Sequence, residues 1–417
     1  MPQTHYHINT APHTSQGANK HLAPHHPDHH PTTPTEIRAS LSLNQSINQR
    51  LSDRPTQAMT TPLSRGYRSA AEYRFRPDQA DAIVRATAYH RRDFGLSVIW
   101  FSPREHAGIR PSIATPFPRT LDTNTGLGTL GLLPLELLHD VVLRLDIRSL
   151  FHFRQANLSS RQIVDSLHHY QMVVSHGLNL LCALLRKRLA IGISLVDFYH
   201  TLCTKACTLC GEFGGFVSLL TWTRCCFPCL RGASEIQVQT LAATRKQLHF
   251  SRAQVRQLKV FETLPGIYTM EESEYKSRIA VVSAHQAQLV SAQQPHAAAA
   301  AQPQAQAQPA SSTGRNRKFN FMGSCALPHY DKRTGRVENG MSCAGCQLAL
   351  EKYIIGARCE NWAFEARDKV YAQDSFLEHF RWCEQAQLLW KSSGEGTRRP
   401  AELPEAVRRR GFFNRRE

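Results

Sequence analysis

The chain has 417 residues, of which 41% are hydrophobic, and it carries a formal net charge of +17. This length allows two or three domains, and the charge invites nucleic acid or an anionic membrane surface as a partner. The basic residues are scattered without interleaved aromatic residues, so we expect them on disordered arms and solvated helix faces. The polar start and the short apolar runs predict neither a signal peptide nor a membrane span.

Cysteine usage suggests metal rather than disulfide chemistry. Twelve cysteines lie in a chain that we expect in the cytosol or the nucleus, where thiols stay reduced. Clustered cysteines in such a compartment indicate metal binding. The sequence contains no H-E-x-x-H motif, no G-x-S-x-G motif and no phosphate-cradling glycine loop, so we expect no enzymatic activity.

The first part of the chain, residues 1–120, is rich in His, Pro, Thr, Gln and Arg and shows no sustained hydrophobic period. Such a composition buries too little apolar surface to offset chain entropy, so we predict a long disordered N-terminal arm. From residue 127 onwards, apolar residues recur at spacings of three and four. The expected fold class is therefore mainly α.

Residues 127–175 predict three short helices in succession. Pro134 suits a first helical turn, and Asp146 can cap the second helix. Ser159 with Gln162 forms a capping box for the third helix, which would extend through Tyr170. Helices this short bury little apolar surface on their own, so we expect a partner to cover what remains exposed.

The residue pattern of this segment resembles an F-box, the motif that binds Skp1-type adaptors in cullin-based ubiquitin ligases. The resemblance is carried by Leu133-Pro134-x-Glu136-Leu137-Leu138, Leu145-Asp146, Ser149-Leu150, Phe153-Arg154 and Arg161-x-x-Val164. The family's usual late Trp is absent, and Tyr170 is the residue that would fill its place. An ordinary helical bundle with this stripe as its core is the alternative. The residues expected to form the adaptor-binding face, or the core that supports it, are Leu133, Pro134, Leu137, Leu138, Val141, Leu145, Leu150 and Phe153.

The next region, residues 176–284, is predicted to be helical with a cysteine-rich zinc patch. Cys207-x2-Cys210 is followed after 15 residues by Cys226-x2-Cys229. Two such pairs can supply the tetrahedral thiolate cage that structural Zn²⁺ prefers. Short strands are expected between the pairs, and Gly211 suits a tight knuckle after the first pair. Cys203 and Cys225 are close enough to substitute as ligands.

A low-complexity linker over residues 285–318 separates this patch from a second Cys/His module at 319–390. Its candidate ligands are Cys343, Cys346, His379 and Cys383. A single helix from Asp374 to Leu389 would project His379 and Cys383 from one face, so we predict a second, Cys₃His zinc site. Residues 391–417 are predicted to be a disordered basic tail. The alternate ligands for this site are Cys325, His329 and Cys359.

The order of these parts over residues 127–390 resembles a group of cysteine-rich F-box proteins of filamentous fungi. The resemblance implies a substrate receptor that binds a Skp1-like adaptor, and a cullin through it, and that presents an unknown protein target. Zinc at one or two closed sites would be structural, since four protein ligands leave no open position. The alternatives are a zinc-containing nucleic-acid-binding protein, whose affinity would fall steeply with salt, and an F-box scaffold that acts outside the ligase.

Overall fold

The computed structural model describes residues 69–113, 126–293, 313–352 and 365–412. Helices predominate, in agreement with the predicted mainly α class. The helices are α1 (Ala80–Thr87), α2 (Arg92–Leu96), α3 (Pro103–Ile113), α4 (Leu135–Arg144), α5 (Ile147–Ala156), α6 (Leu158–Ser166), α7 (His168–His176), α8 (Leu178–Arg186), α9 (Leu195–Cys203), α10 (Phe227–Gly232), α11 (Leu241–Leu248), α12 (Arg252–Gln257), α13 (Ala284–Ala292), α14 (Thr313–Met322), α15 (Ala344–Glu351), α16 (Gln373–Phe380), α17 (Glu384–Ser392) and α18 (Glu405–Arg409).

Short strands tie distant parts of the chain together. They are β1 (Ala88–Tyr89), β2 (Phe216–Ser218), β3 (Thr223–Cys225), β4 (Val238–Thr240), β5 (Phe261–Glu262), β6 (Gly266–Tyr268), β7 (Ser273–Tyr275), β8 (Ala280–Ser283), β9 (Ser324–Ala326), β10 (His329–Tyr330), β11 (Val337–Glu338) and β12 (Ser342–Cys343). The antiparallel pair β2–β3 is the hairpin expected between the first two cysteine pairs. Strand β2 also pairs with β9, so the first cysteine patch and the second Cys/His module share one sheet.

The segment that resembles an F-box forms four short helices, α4 to α7, instead of the three that the sequence predicts. Asp146 caps α5 as expected, because its carboxylate accepts a hydrogen bond of 2.7 Å from the amide of Ser149. The third helix is capped by Asn157, which forms the capping box with Ser160. It ends at Ser166, and a new helix carries Tyr170. The predicted capping box of Ser159 and Gln162 is therefore wrong by two residues.

The prediction of a disordered arm over residues 1–120 is wrong for residues 69–113, which are part of the folded core. Ile83 is buried beside the second cysteine cluster, and Phe94 and Ile99 are buried in the main core. Strand β1 pairs with β12. The apolar residues of this segment are too sparse to show a period, but each of them fills a site that other elements provide. The remainder of the predicted arm lies outside the described residues.

The predicted basic tail, residues 391–417, is also folded as far as residue 412. The indole of Trp390 is almost completely buried, and Gly396 lies so close to it that a Cβ would stand 2.9 Å from the ring. Helix α18 buries Ala406, and the amide of Gly411 donates to the carbonyl of Ala406 at 2.8 Å. This segment therefore covers the second module. Of the predicted linker 285–318, residues 294–312 lie outside the described part, while its two ends are helical in α13 and α14.

Buried charges connect the separate segments. The guanidinium of Arg224 donates to three carbonyls, those of Gly214 (2.7 Å), Thr201 (2.7 Å) and Leu327 (3.0 Å). These carbonyls come from the first cysteine patch, from the end of α9 and from the second module. Burial lowers the pKa of Arg224 to about 10. A fully buried guanidinium needs such acceptors to remain inside the protein, so Arg224 fixes the three segments against one another.

A second buried cluster has Asp368 at its centre. Its carboxylate contacts Arg91 at 3.2 Å, Arg231 at 3.2 Å and Arg367 at 2.7 Å. Arg91 also pairs with Asp93 at 2.6 Å, and both of these side chains are almost inaccessible to solvent. The cluster joins the N-terminal segment, helix α10 and the second module. In the part of the chain that the structure describes, no helix combines the length and the apolar character needed to cross a membrane.

Candidate adaptor-binding face and cysteine clusters

The outer side of α4 and the residues just before it form an exposed apolar surface, which we call the α4 face. Leu132 is 84% exposed, Leu137 55% and Val141 45%. Several apolar side chains exposed side by side on one helix are unusual for a surface that only meets water. The full set of exposed apolar residues in this stretch is Leu130, Leu132, Leu133, Leu135, Leu137 and Val141.

The opposite side of α4 packs inward. Leu138 and Val142 are 3% and 1% exposed, and both belong to the main core. The residues predicted for the adaptor-binding face therefore fall into three groups by exposure. Of the eight residues named from the sequence, Leu133, Pro134, Leu137 and Val141 are exposed, Leu145 and Phe153 are half-buried, and Leu138 and Leu150 are buried in the core.

The helices beneath the α4 face are held by a buried arginine. Arg154 of α5 pairs with Asp165 of α6 at 2.7 Å and also donates to the carbonyl of Ser112. Tyr170 is buried, and its hydroxyl donates to the carbonyl of Ile113 at 2.6 Å. The end of α3, which the sequence interpretation had assigned to the disordered arm, therefore anchors this helical segment from below.

The first cysteine cluster lies at the protein surface. The ligand atoms of Cys207, Cys210, Cys226 and Cys229 all fall within 4.8 Å of one another. The Sγ atoms of Cys210 and Cys226 are 3.5 Å apart. The amide of Gly211 donates to the carbonyl of Cys207 at 2.9 Å, and Gly211 has a φ of +80°. A left-handed residue is required to close this knuckle, which explains the glycine.

The second cluster is buried. Cys343, Cys346, His379 and Cys383 also place their ligand atoms within 4.8 Å of one another, and the three cysteines are inaccessible to solvent. The Sγ atoms of Cys343 and Cys383 are 3.7 Å apart, and Cys346 Sγ lies 3.4 Å from Nε2 of His379. The hydroxyl of Tyr371 lies 3.3 Å from Nδ1 of His379. That contact orients the imidazole so that Nε2 faces the thiols.

The predicted single helix Asp374–Leu389 is wrong, because the chain breaks between α16 and α17. Cys383 stands at the start of α17 with an extended backbone (φ −93°, ψ 97°). His379 lies in the last turn of α16. The two side chains therefore meet across a helix junction instead of along one helix face. Gly345 permits the close approach of α15 to α17, since a Cβ there would lie 2.3 Å from the amide nitrogen of Ala386.

Both clusters have the dimensions of a zinc site. Four zinc–sulfur bonds of about 2.3 Å in a tetrahedron place the sulfur atoms about 3.8 Å apart, and a nitrogen ligand shortens that edge slightly. The observed sulfur–sulfur separations of 3.5 Å and 3.7 Å, and the sulfur–nitrogen separation of 3.4 Å, fit this geometry. Each cluster could therefore hold a metal ion, and the donor set of thiolates and imidazole is the one that zinc prefers.

The pKa values of the cluster side chains shift in both directions. Hydrogen bonds from neighbouring cysteines lower the pKa of Cys207 and, against the effect of burial, that of Cys383. The pKa of Cys226, Cys229, Cys343 and Cys346 is raised by burial and by contact with the other thiols of each cluster. Burial opposes charge on His379, whose pKa is nevertheless raised to about 10 by the negative charge of Cys346 and Cys383. A divalent cation at the centre of either cluster would favour the thiolate form of all its cysteines.

Four of the five alternate ligands predicted from the sequence lie in the described part of the chain, and all four are outside both clusters. Cys203 is near Tyr199 on α9, and the hydrogen bond from Tyr199 partly offsets the effect of burial, which raises the pKa of Cys203. Burial raises the pKa of Cys225 and of Cys325, so these two thiols behave as neutral core residues. His329 lies 3.7 Å from Glu338. Cys359 lies outside the described residues.

The family model of the F-box domain matches residues 130–172. This range begins with the exposed leucines before α4 and ends within α7, which carries Tyr170. The chain therefore contains an F-box domain, and proteins with this domain are generally adaptors rather than enzymes. Neither the comparison with curated proteins nor the comparison with solved structures found a match.

Proposed function

We propose that this protein is a substrate receptor of a Skp1–cullin–F-box ubiquitin ligase. Its F-box binds a Skp1-like adaptor through the α4 face, and the cysteine-bearing body, residues 176–412, presents a protein target. The F-box domain match at residues 130–172 supports the first half of this proposal. The proposed setting is the cytosol or the nucleus, where reduced thiols can hold zinc.

The observation that carries the proposal is the division of α4 into a buried and an exposed apolar side. Leu137 and Val141 are exposed at a spacing of four residues, so both project from one face of the helix. Each fully covered Leu or Val contributes about 1.5–3 kcal/mol of apolar burial. This free energy stabilises a complex in which a partner covers the α4 face, and the isolated protein does not gain it.

The body gives the receptor a fixed geometry. Asn179 of α8 accepts a hydrogen bond from the amide of Phe101 (2.9 Å) and donates one to the carbonyl of Ile99 (2.8 Å). Ile99 in turn bridges to Cys325 of the second module. Buried residues of the F-box domain and of the first cysteine cluster belong to the same hydrophobic core, so structural zinc would stabilise a part that is packed against the F-box.

The test is capture of purified Skp1 by the full chain. We expect the double variant Leu137→Glu/Val141→Glu to lose Skp1 binding by at least tenfold, because two carboxylates would have to be buried at the interface. The matched control is Leu289→Glu, which introduces a charge at a leucine of similar exposure (40%) on α13. We expect this control to bind Skp1 as the wild type does.

Thermal unfolding of each variant separates loss of binding from loss of fold. Because Leu137 and Val141 face solvent, their replacement should leave the melting temperature of the free protein nearly unchanged. Retention of wild-type Skp1 affinity by a folded Leu137→Glu/Val141→Glu protein would refute the proposed adaptor face.

A further inference from the structure

A concave pocket formed by the N-terminal segment and the C-terminal segment of the described chain is lined by arginines. It lies between α1–β1 and the C-terminal segment 396–410, and its cavity volume is about 620 Å³. None of the described residues that line it is acidic. The lining arginines, all with exposed side chains, are Arg85, Arg398, Arg399, Arg408 and Arg410.

These positive charges have little internal compensation. Within the described ranges, Arg85, Arg399 and Arg410 form no ion pair. Arg408 is 3.9 Å from Glu405, and the side chain of Arg398 donates to the carbonyl of Ser392 at 3.2 Å. Like charges gathered in a concavity repel one another and raise the local concentration of anions. The positive potential of the pocket therefore favours binding of an anionic ligand.

The segment that carries most of the arginines is held in place by the fold. The amide of Arg398 donates to the carbonyl of Ser393 at 2.9 Å, and the amide of Gly396 donates to the hydroxyl of Ser393 at 2.9 Å. Pro400 is buried. The guanidinium groups therefore extend from a fixed backbone, which reduces the ordering cost of binding.

We propose that this pocket binds a phosphate monoester. Guanidinium groups pair with phosphate oxygens through two parallel hydrogen bonds, and a monoester offers three terminal oxygens and a charge near −2. A monoester can enter a concave pocket end-on. The phosphodiester of a nucleic acid is joined on both sides and runs past such a pocket, so we favour the monoester over a nucleic-acid strand. The volume leaves room for the group that carries the phosphate.

The experiment titrates the full-length protein by calorimetry with three probes: a phosphoserine peptide, the same peptide without phosphate, and inorganic phosphate. We expect saturable binding of the phosphorylated peptide or of inorganic phosphate, and none of the unphosphorylated peptide. Tighter binding of the phosphopeptide would assign the phosphate to a protein side chain. Tighter binding of inorganic phosphate would assign the pocket to a small phosphorylated molecule.

Variants of the pocket test its residues. We expect Arg398→Gln/Arg399→Gln to weaken binding of the phosphorylated probe at least tenfold, since the variant loses the charge-assisted hydrogen bonds of two guanidinium groups to the phosphate. The control Arg245→Gln/Lys246→Gln removes two exposed charges from α11 and should leave the affinity within twofold of the wild type.

Three outcomes would overturn the proposal. The first is the absence of saturable binding of either phosphorylated probe by the wild type. The second is an equal loss of affinity in the pocket variant and in its charge-matched control, which would indicate nonspecific electrostatic attraction. The third is displacement of the phosphorylated probe by a single-stranded oligonucleotide at lower concentration than by unlabelled phosphopeptide, which would assign the surface to nucleic acid. None of these outcomes depends on Skp1 binding.

Discussion

The F-box domain and the cysteine-bearing body differ in how far they bury their apolar side chains. The body buries most of its large apolar side chains and places one cysteine cluster inside, whereas α4 exposes an apolar face on one side and packs into the core on the other. Burial stabilises a chain by itself, and exposed apolar surface contributes only when a partner covers it. Under the proposed function, the buried residues of both regions provide stability and the exposed α4 face provides binding.

The largest expected effect comes from the buried cluster. We expect Cys343→Ser to remove its zinc and to lower the free energy of unfolding by several kcal/mol, up to on the order of 10 kcal/mol, because structural zinc supplies much of the folding energy of small modules. Metal analysis should find two zinc ions in the wild type and one in the variant. Cys203→Ser, at a cysteine outside both clusters, should retain two. Two zinc ions in Cys343→Ser would contradict the ligand assignment.

The next effect concerns the buried charge cluster of the body. Asp368→Asn removes the carboxylate that Arg91 and Arg367 share and leaves Arg91 with Asp93, so we expect the free energy of unfolding to fall by roughly 3 kcal/mol. Asp374→Asn serves as the control, because that carboxylate pairs with Lys205 at 2.9 Å on the exposed surface. Exposed pairs contribute less than about 1 kcal/mol. Chemical denaturation of both variants checks the difference, and equal losses would remove the structural role of Asp368.

Substitutions at two neighbouring residues of α4 should affect stability and Skp1 binding separately. We expect Leu138→Ala to lower the free energy of unfolding by about 2–4 kcal/mol, because it leaves a cavity in the core. We expect Leu137→Ala to change stability by less than about 0.5 kcal/mol and to weaken Skp1 binding. Denaturation and Skp1 capture on the same two proteins provide the check. A large stability loss in Leu137→Ala would show that its side chain is part of the core.

The smallest expected effect is at the residue that orients the histidine ligand. Tyr371→Phe removes the hydroxyl near Nδ1 of His379. Loss of such a supporting hydrogen bond costs about tenfold or more in metal affinity. Competition with a chelator should show one zinc ion that leaves more readily, while the other behaves as in the wild type. Unchanged release of both ions would separate Tyr371 from the metal site.

The parts of this fold that sequence predicts are those in which the determining residues are close together in the chain. The first cysteine cluster follows from two C-x2-C pairs, and the cap at Asp146 is set by the residues that follow it. Helical periodicity predicts the apolar residues of α4, but it does not show that Leu137 is exposed and that Leu138 is buried. That division depends on which side of α4 the remaining core occupies.

The parts of the fold that the sequence does not predict depend on residues that are far apart in the chain. Residues 69–113 were assigned to a disordered arm because Ile83, Phe94 and Ile99 are scattered in a polar segment. Each is buried by elements more than 60 residues away in the chain, such as β9 and α16. The helix break before Cys383 was missed because the local sequence is helical throughout. The pairing of β2 with β9 has no local signal at all.

The most direct test of the central claim is the hydrogen-exchange footprint of Skp1 on the full chain. We predict that adding Skp1 slows exchange over residues 126–144 and leaves the segments around Cys207–Cys229 and Cys343–Cys346 unchanged. Protection confined to the cysteine-bearing segments, or no protection at all at saturating Skp1, would contradict the assignment of the α4 face as the adaptor-binding surface.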